Sequence, residues 1–351
     1  MKAKKINRFR LLLQVIFVAV LFGVVLGYPK VIVLDGDTMG TTYHIKAYVP
    51  FWRKTARIDS LIKQRLAQVN QIFSTYDDNS ELSLLNRNTS KEAIQVTKDL
   101  YQVLHQASVV FEKTKGAFDM TVYPLYELWG FMSETPLIKT PTHSEIKDTF
   151  KKVGTDKIKF LGPGQIQKIQ PDLQCDLSAI AKGYAVDELR GLLERIGSKH
   201  FIVEIGGEIY ASGQRNRSEK WRCGISIPHA NAAPNELLYT VAIKNKALAT
   251  SGDYRNFQTI ESRTYPHILD PRTGYPIQHN TVSATVIAES CALADALATA
   301  AMVLSPKEAL ALVEKNKKAE ILLVEKHKKE HVVHMSGGFS EFILEDHSKK
   351  K

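Results

Sequence analysis

From Val31 to Val49 apolar and polar positions alternate with a period of two, in a stretch rich in Val, Ile, Thr and Tyr. That pattern predicts two strands, with Asp35-Gly36-Asp37 as the turn between them. The period then changes. Ile58, Leu61, Ile62, Leu66, Val69 and Phe73 recur at the spacing of one helix face, predicting a helix over 55–73. The polar stretch STYDDNSELSLLNRN reads as loop, and a second helix is predicted from about Thr97 to Lys113, ended by Lys115-Gly116.

Turn residues dominate the middle of the chain. Pro124, Pro136, Pro141 and Gly162-Pro163-Gly164 surround a short predicted helix near 143–151, and the region reads as irregular elaboration. A helix is predicted over 177–196, and FIVEIGGEIYASG reads as a strand pair or a bulged strand. Residues 236–288 hold at least three further strands joined by Gly- and Pro-marked turns. Helices from Ala292 to Leu304 and from Lys307 to Asn316 follow, then closing strands near 320–325, 331–335 and 341–345. Without internal repeat or linker, the expectation is a single α+β domain over 30–346, with mixed or antiparallel sheets and packed helices. An N-terminal segment, 1–29, precedes it and a basic tail, 347–351, follows.

Residues 11–27, LLLQVIFVAVLFGVVLG, carry no charge and follow Lys2, Lys4, Lys5, Arg8 and Arg10. This is an export signal whose length suits either a cleaved signal peptide or a short membrane anchor, and the poorly formed cleavage site favours the anchor. The basic flank keeps the amino end inside and sends residues 30 onward out, so a bacterial inner-membrane protein with an extracytoplasmic domain is expected. The run ends V-L-G-Tyr28, like a lipoprotein cleavage box with tyrosine where the lipid-accepting cysteine would stand.

The net charge of +10 comes largely from the two ends, and the remaining lysines between Lys307 and Lys329 alternate with Ala, Leu and Glu as a solvated surface does. Without aromatic interleaving, no nucleic-acid partner is expected. Cys175, Cys223 and Cys291 are far apart with no C-x-x-C spacing, so neither a zinc site nor a disulfide framework is encoded.

Four stretches can carry chemistry. In ESCALADALATAAMVL a single carboxylate, Asp295, interrupts an apolar helix, and Thr299 shares its face. A buried carboxylate needs a partner; a divalent cation, a buried Arg or a nearby backbone cap would each serve. In CDLSAIAKGYAVDEL, Asp176 and Ser178 stand at a helix amino end, either as ordinary caps or beside a bound phosphate, and Gly183 leaves room for a ligand to approach. Asp270-Pro271-Arg272-Thr273-Gly274 is a turn preceded by His267, which can act as a base, a ligand or a plain surface residue. In KGAFDMTVYPL, Phe118 and Asp119 offer a ring and an acceptor to a nucleotide.

Taken in order, MGTTYHI, FSTYDDNSELSLLN, GAFDMTVYPL, DLSAIAKGYAVD, EIGGEIYASG, ATSGDYRNF, HILDPRTGYPI and ATVIAESCALADALATAAMVL closely resemble the bacterial FAD:protein FMN transferase family over residues 37–345. The resemblance implies magnesium-dependent transfer of the FMN half of FAD to a threonine, with AMP released. It implies FAD contacts from Met39, Tyr76, Ala117, Phe118, Asp119, Asp176, Lys182, His267 and Ile268. It also implies magnesium held by the Ala179 carbonyl with Asp295 and Thr299, and catalytic roles for His267 and Asp295. Acceptors would be membrane redox-complex subunits with outward-facing threonines. Lys182 stands where many members carry Glu, and Ala298 where some carry a second Asp. FAD hydrolysis to free FMN and AMP, or flavin binding without turnover, are the neighbouring readings.

Overall fold

The computed structural model describes residues 28–131, 137, 139–216, 218–229, 236–252, 257–260, 263–266, 268–328 and 330–348. The apolar run 11–27, His267 and the last three lysines of the tail lie outside the described residues. Among those described, no helix is long and apolar enough to cross a membrane.

Eight antiparallel strands form the central sheet, and they lie side by side in their chain order. They are β1 (Pro29–Thr38), β2 (Thr41–Pro50), β3 (His200–Ile205), β4 (Glu208–Ser212), β5 (Lys246–Gly252), β6 (Thr281–Ala288), β7 (Ala319–His327) and β8 (Glu330–Met335). Side-chain alternation splits this sheet between two cores. Ala247 and Ala249 of β5, Val286 of β6 and Ile321 and Leu323 of β7 face one layer; Leu248, Ile287, Leu322 and Val324 face the other. A one-residue slip would exchange the two sets, and each buried Leu or Ile is worth roughly 1.5–3 kcal/mol, so register is strongly specified.

Helices cover the first face: α1 (Thr55–Phe73), α2 (Lys98–Thr114), α3 (Ser178–Arg195) and α4 (Cys291–Val303). Arg65 of α1 ties three of them, its guanidinium lying 2.6 Å from Asp99 of α2 and 3.0 Å from Glu188 of α3. The second face is covered by a three-stranded sheet of Trp221–Ser226, Leu237–Ile243 and Ile343–Asp346. A third apolar cluster, with Leu125, Trp129, Ile146 and Leu269, stands apart from both.

The predicted helices appear within one or two residues of their expected bounds, and the α+β class with antiparallel sheets holds. Three local expectations fail. The first turn is at Met39-Gly40, both at positive φ, whereas Asp35-Gly36-Asp37 runs straight through β1. Gly36 is needed because the Tyr43 ring fills the space over it; a Cβ there would lie 2.7 Å from the ring. The polar stretch after α1 contains a short helix, Glu81–Arg87, started by Ser80, whose side chain accepts from the Ser83 N–H. Gly162-Pro163-Gly164 is a hairpin turn between Ile158–Gly162 and Gln165–Lys168, so the supposedly irregular middle includes a small sheet.

α3 and α4 pack unusually closely. At Gly183 a Cβ would come within 2.4 Å of the Cys291 carbonyl oxygen and 2.7 Å of the Ala292 Cα. The space Gly183 leaves is therefore filled by a neighbouring helix and not by a ligand. Four residues later Asp187 receives the N–H groups of Cys291 and Ala292, both at 2.9 Å, capping α4 from α3. Burial pushes the Asp187 carboxyl up to about 6 against those two hydrogen bonds. The native state thus holds a proton that an unfolded Asp, near pKa 3.9, has already lost, and this group's contribution to stability falls as pH rises from about 4 to 6. Asp187→Asn should flatten the pH slope of the urea midpoint in that window by about one proton; an unaltered slope would show that Asp187 titrates normally.

Candidate active site

A cleft of about 1010 Å³ opens where the amino end of α3, the body of α4, the start of β4 and the end of β5 converge. The loop following α2 and the turn after Ile268 complete its walls. Tyr76, Ala117, Phe118, Asp119, Asp176, Ala179, Lys182, Ile268, Asp295 and Thr299 all line it. Tertiary folding thus gathers, into one space, residues more than 200 positions apart. Met39 is elsewhere, at the β1–β2 turn, packed against the helical core and not in the cleft lining.

The floor is ionic. Asp295 is 2% exposed, and the Gly183 N–H donates to its Oδ2 at 3.1 Å. An uninterrupted helix would give that N–H to the Ala179 carbonyl, so Asp295 competes with Ala179 for it. Lys182 Nζ lies 3.5 Å from Oε1 of Glu208, itself buried, while Glu208 Oε2 has no hydrogen-bond partner among the described residues. Burial raises the carboxyl pKa of both acids. It is opposed at Asp295 by Lys182 and the Gly183 N–H, while Glu208 is pushed up to about 8 by burial and then by the charge of Asp295. Lys182 is held above its ordinary range, first by Asp295 and then by Glu208. Two carboxyl groups thus depend on one ammonium, and Glu208 resists ionisation because a second buried negative charge would lack a counter-ion of its own.

Hydroxyls adjoin the acids. The Thr299 Oγ1 and Ser251 Oγ atoms are 3.2 Å apart, joining α4 to β5, and Thr250 pairs with Thr285 at 2.9 Å. No group of three or more His, Cys, Asp or Glu suited to a metal occurs among the described residues. One or two carboxylates with hydroxyl and carbonyl oxygens form a hard-donor set, which favours magnesium or calcium over zinc. The orphaned Oε2 of Glu208, on an acid held neutral for want of a counter-ion, fits an added cation. Ala298, where a second Asp was a possible ligand, is fully buried in the core.

The walls are braced from within. Asp119 Oδ1 accepts from the Thr121 N–H at 2.8 Å and from the hydroxyls of Thr121 and Thr155 at 2.6 and 2.7 Å; the Thr155 N–H reaches Oδ2 at 3.2 Å. Asp119 therefore shapes its loop before it offers anything to a ligand. The Asp176 N–H donates to the Met120 carbonyl at 2.7 Å, and its Oδ1 takes the Ser178 N–H at 2.7 Å, locking the same loop to the start of α3. Tyr76, 93% exposed, stands at the mouth with a free ring face. The turn over residues 270–274 is built as its sequence predicts: Asp270 accepts from the Arg272 backbone and side chain, and Gly274 adopts φ 80°.

Glu208 and Ser251 were not singled out in the sequence. Glu208 follows Gly206-Gly207, both at positive φ, and that double glycine between apolar runs was the one available signal that the backbone bends sharply there. Ser251 had none, because only the pairing of β5 with its neighbours brings it to Thr299.

The profile of the ApbE family matches residues 39–323. The FAD:protein FMN transferase of Haemophilus influenzae is 38% identical over 294 residues, covering 82% of this chain and 84% of that one. The Vibrio cholerae protein of the same description is 38% identical over 286 residues, 81% of this chain and 84% of its own. Among solved structures, the flavin transferase ApbE from Vibrio cholerae superimposes with a TM-score of 0.81 at 35% identity, covering 90% of this chain and 99% of that one. The apo Pseudomonas stutzeri flavinyl transferase ApbE gives 0.80 at 30% identity, with 90% and 98% covered. With so much of both chains aligned at this identity, and the same fold throughout, this protein belongs to the ApbE family.

Proposed function

We propose that this protein transfers the FMN half of FAD to a threonine hydroxyl of an acceptor protein, with magnesium, at the outer face of a bacterial inner membrane. The observation that carries the reading is the cleft floor, where Lys182 lies 3.5 Å from Glu208 and the buried Asp295 acts on the same ammonium through its charge. The names borne by the relatives point to the same reaction.

Asp295, Thr299 and the Ala179 carbonyl would hold the ion, with the Gly183 N–H fixing one oxygen of Asp295. An ion held there would supply charge neutralisation to the diphosphate. Lys182 adds positive charge at the same floor, and the N–H groups at the start of α3 suit phosphate oxygens. Tyr76 offers a stacking surface at the mouth. The threonine oxygen bonds to the phosphorus of the FMN half, the bond from that phosphorus to the bridging oxygen breaks, and AMP departs with that oxygen. The threonine proton passes to a base; His267 is the candidate, since Asp295 is engaged as a ligand.

Acceptors would be membrane redox subunits whose threonines face outward. Residues 11–27 would hold the enzyme on the same surface and raise the effective concentration of the pair. The test is mass spectrometry of a threonine-bearing acceptor after incubation with the protein, FAD and magnesium. The expected product carries FMN less water on a threonine, with AMP in equal amount, and forms only when all components are present. FMN released freely without acceptor, and an unmodified acceptor, would make the protein a hydrolase instead.

A further inference from the structure

The β1–β2 hairpin has two unlike ends. Pro29 pairs with Pro50 at one end, so Tyr28, which directly follows the apolar run 11–27, and Phe51 and Trp52, which follow Pro50, leave the hairpin at that same end. Phe51 and Trp52 stack edge to face at 5.4 Å, and both are solvent-exposed, as are Tyr28, Val31 and Val33. Lys30, Lys46, Arg53, Lys54 and Arg57 stand within this part of the chain, and no Asp or Glu occurs in 28–34 or 46–58. None of these five cations forms an ion pair among the described residues, whereas Lys63 in the next turns of α1 pairs with Asp59. Local energetics do not explain the cations. Lys54 is the N-cap of α1, its side chain caps nothing, and the first turn contains no acid, so the cations oppose the helix dipole.

At the other end the outward face turns acidic, with Asp35 and Asp37. There the turn meets the cleft: the Gly206 N–H donates to the Thr42 carbonyl at 3.1 Å, and Gly206 lines the cleft. Ten strand residues separate the ends, a span of about 30 Å at ~3.3 Å per residue.

We propose that Tyr28, Phe51, Trp52 and the surrounding cations form a foot that docks on an anionic phospholipid surface, with the β1–β2 hairpin standing away from it. The aromatic rings sit at headgroup level and the cations contact lipid phosphates, while the acidic end is kept off the surface. The cleft is then held about 30 Å from the headgroups, which selects acceptor threonines presented well outside the bilayer. The inference rests on the membrane tether proposed above, because the tether ends beside the foot.

Trp52 is 59% exposed, while Trp129 and Trp221 are 1% and 3% exposed, so lipid-borne quenchers report on Trp52. The full chain is reconstituted into vesicles of phosphatidylglycerol and phosphatidylcholine with brominated acyl chains, and embedding is read separately by flotation. About a third of the tryptophan emission should be quenched, the share of one indole in three. The triple variant R53E/K54E/R57E should still float, lose that quenching and retain its flavin chemistry on a soluble acceptor. In a Trp52→Phe background, Asp37→Trp should place an unquenched indole at the far end of the hairpin. A chain that floats with Trp52 unquenched, or a triple variant that remains quenched, overturns the foot and leaves the tether standing. Quenching of the D37W indole as strong as that of Trp52 overturns the upright hairpin. A chain that does not float overturns tether and foot together.

Discussion

Asp295→Ala is expected to lower FMN transfer by at least about a thousandfold, equivalent to roughly 4 kcal/mol of transition-state stabilisation, and to remove its response to magnesium. The expectation follows from position. Asp295 is the carboxylate on α4 that faces the start of α3, and it sits between the Gly183 N–H, Lys182 and the Thr299 face of its own helix. No other acid is described on that helix face, and Ala298 supplies no substitute. The fold should tolerate the change well, because removing a buried carboxylate also removes its desolvation cost and leaves Lys182 paired with Glu208. AMP release under single-turnover conditions, magnesium titration by calorimetry and a thermal melt separate the effects. Turnover within about tenfold of the parent, with magnesium dependence intact, would place the metal elsewhere.

Gly183→Ala carries the second large effect, and here stability should fall together with activity. A methyl at this position meets backbone atoms of Cys291 and Ala292 at 2.4–2.7 Å, and backbone cannot swing aside as a side chain can. Separating α3 from α4 by the required amount should cost on the order of 3 kcal/mol, lowering Tm by roughly 5–10 °C. It also parts Lys182 and Ala179 from Asp295, so activity should fall even at temperatures where the protein remains folded. Gly191→Ala, two turns along the same helix, is the matched control. Its new methyl meets only the Arg195 guanidinium, at 3.3 Å, and the gain in helix propensity should leave stability unchanged or raise it by up to about 1 kcal/mol. Equal behaviour of the two variants would remove the close-packing explanation of Gly183.

Much of this architecture was legible in periodicity. The Ile58–Phe73 stripe is the buried face of α1, and the alternation in 31–49 is the β1–β2 pair. Such patterns are visible because a helix or strand buries one side of itself regardless of what covers it. The turn at Met39-Gly40 shows where local pattern stops being informative. Asp-Gly-Asp is a turn signal in isolation, but a glycine is equally required where an aromatic ring from the neighbouring strand lies across the backbone, and only the Gly36–Tyr43 pairing distinguishes the cases. Gly183 taught the same lesson: its missing side chain serves a helix, not a ligand.

For the site, the lone Asp295 in an alanine-rich helix was conspicuous by itself, because a charge in an apolar surrounding demands an explanation that local structure does not provide. His267 was equally visible as a residue but falls outside the described part of the chain. By itself, then, the sequence determined the succession of elements, the apolar segment ahead of the domain and the carboxylate most in need of a partner, all of which depend on neighbours along the chain. Tertiary structure alone decided that Glu208 shares Lys182 with Asp295, that Ser251 meets Thr299, and that the turn of the first hairpin meets Gly206 at the cleft. Those relations join residues remote in sequence, and no periodicity records a distance that only folding creates.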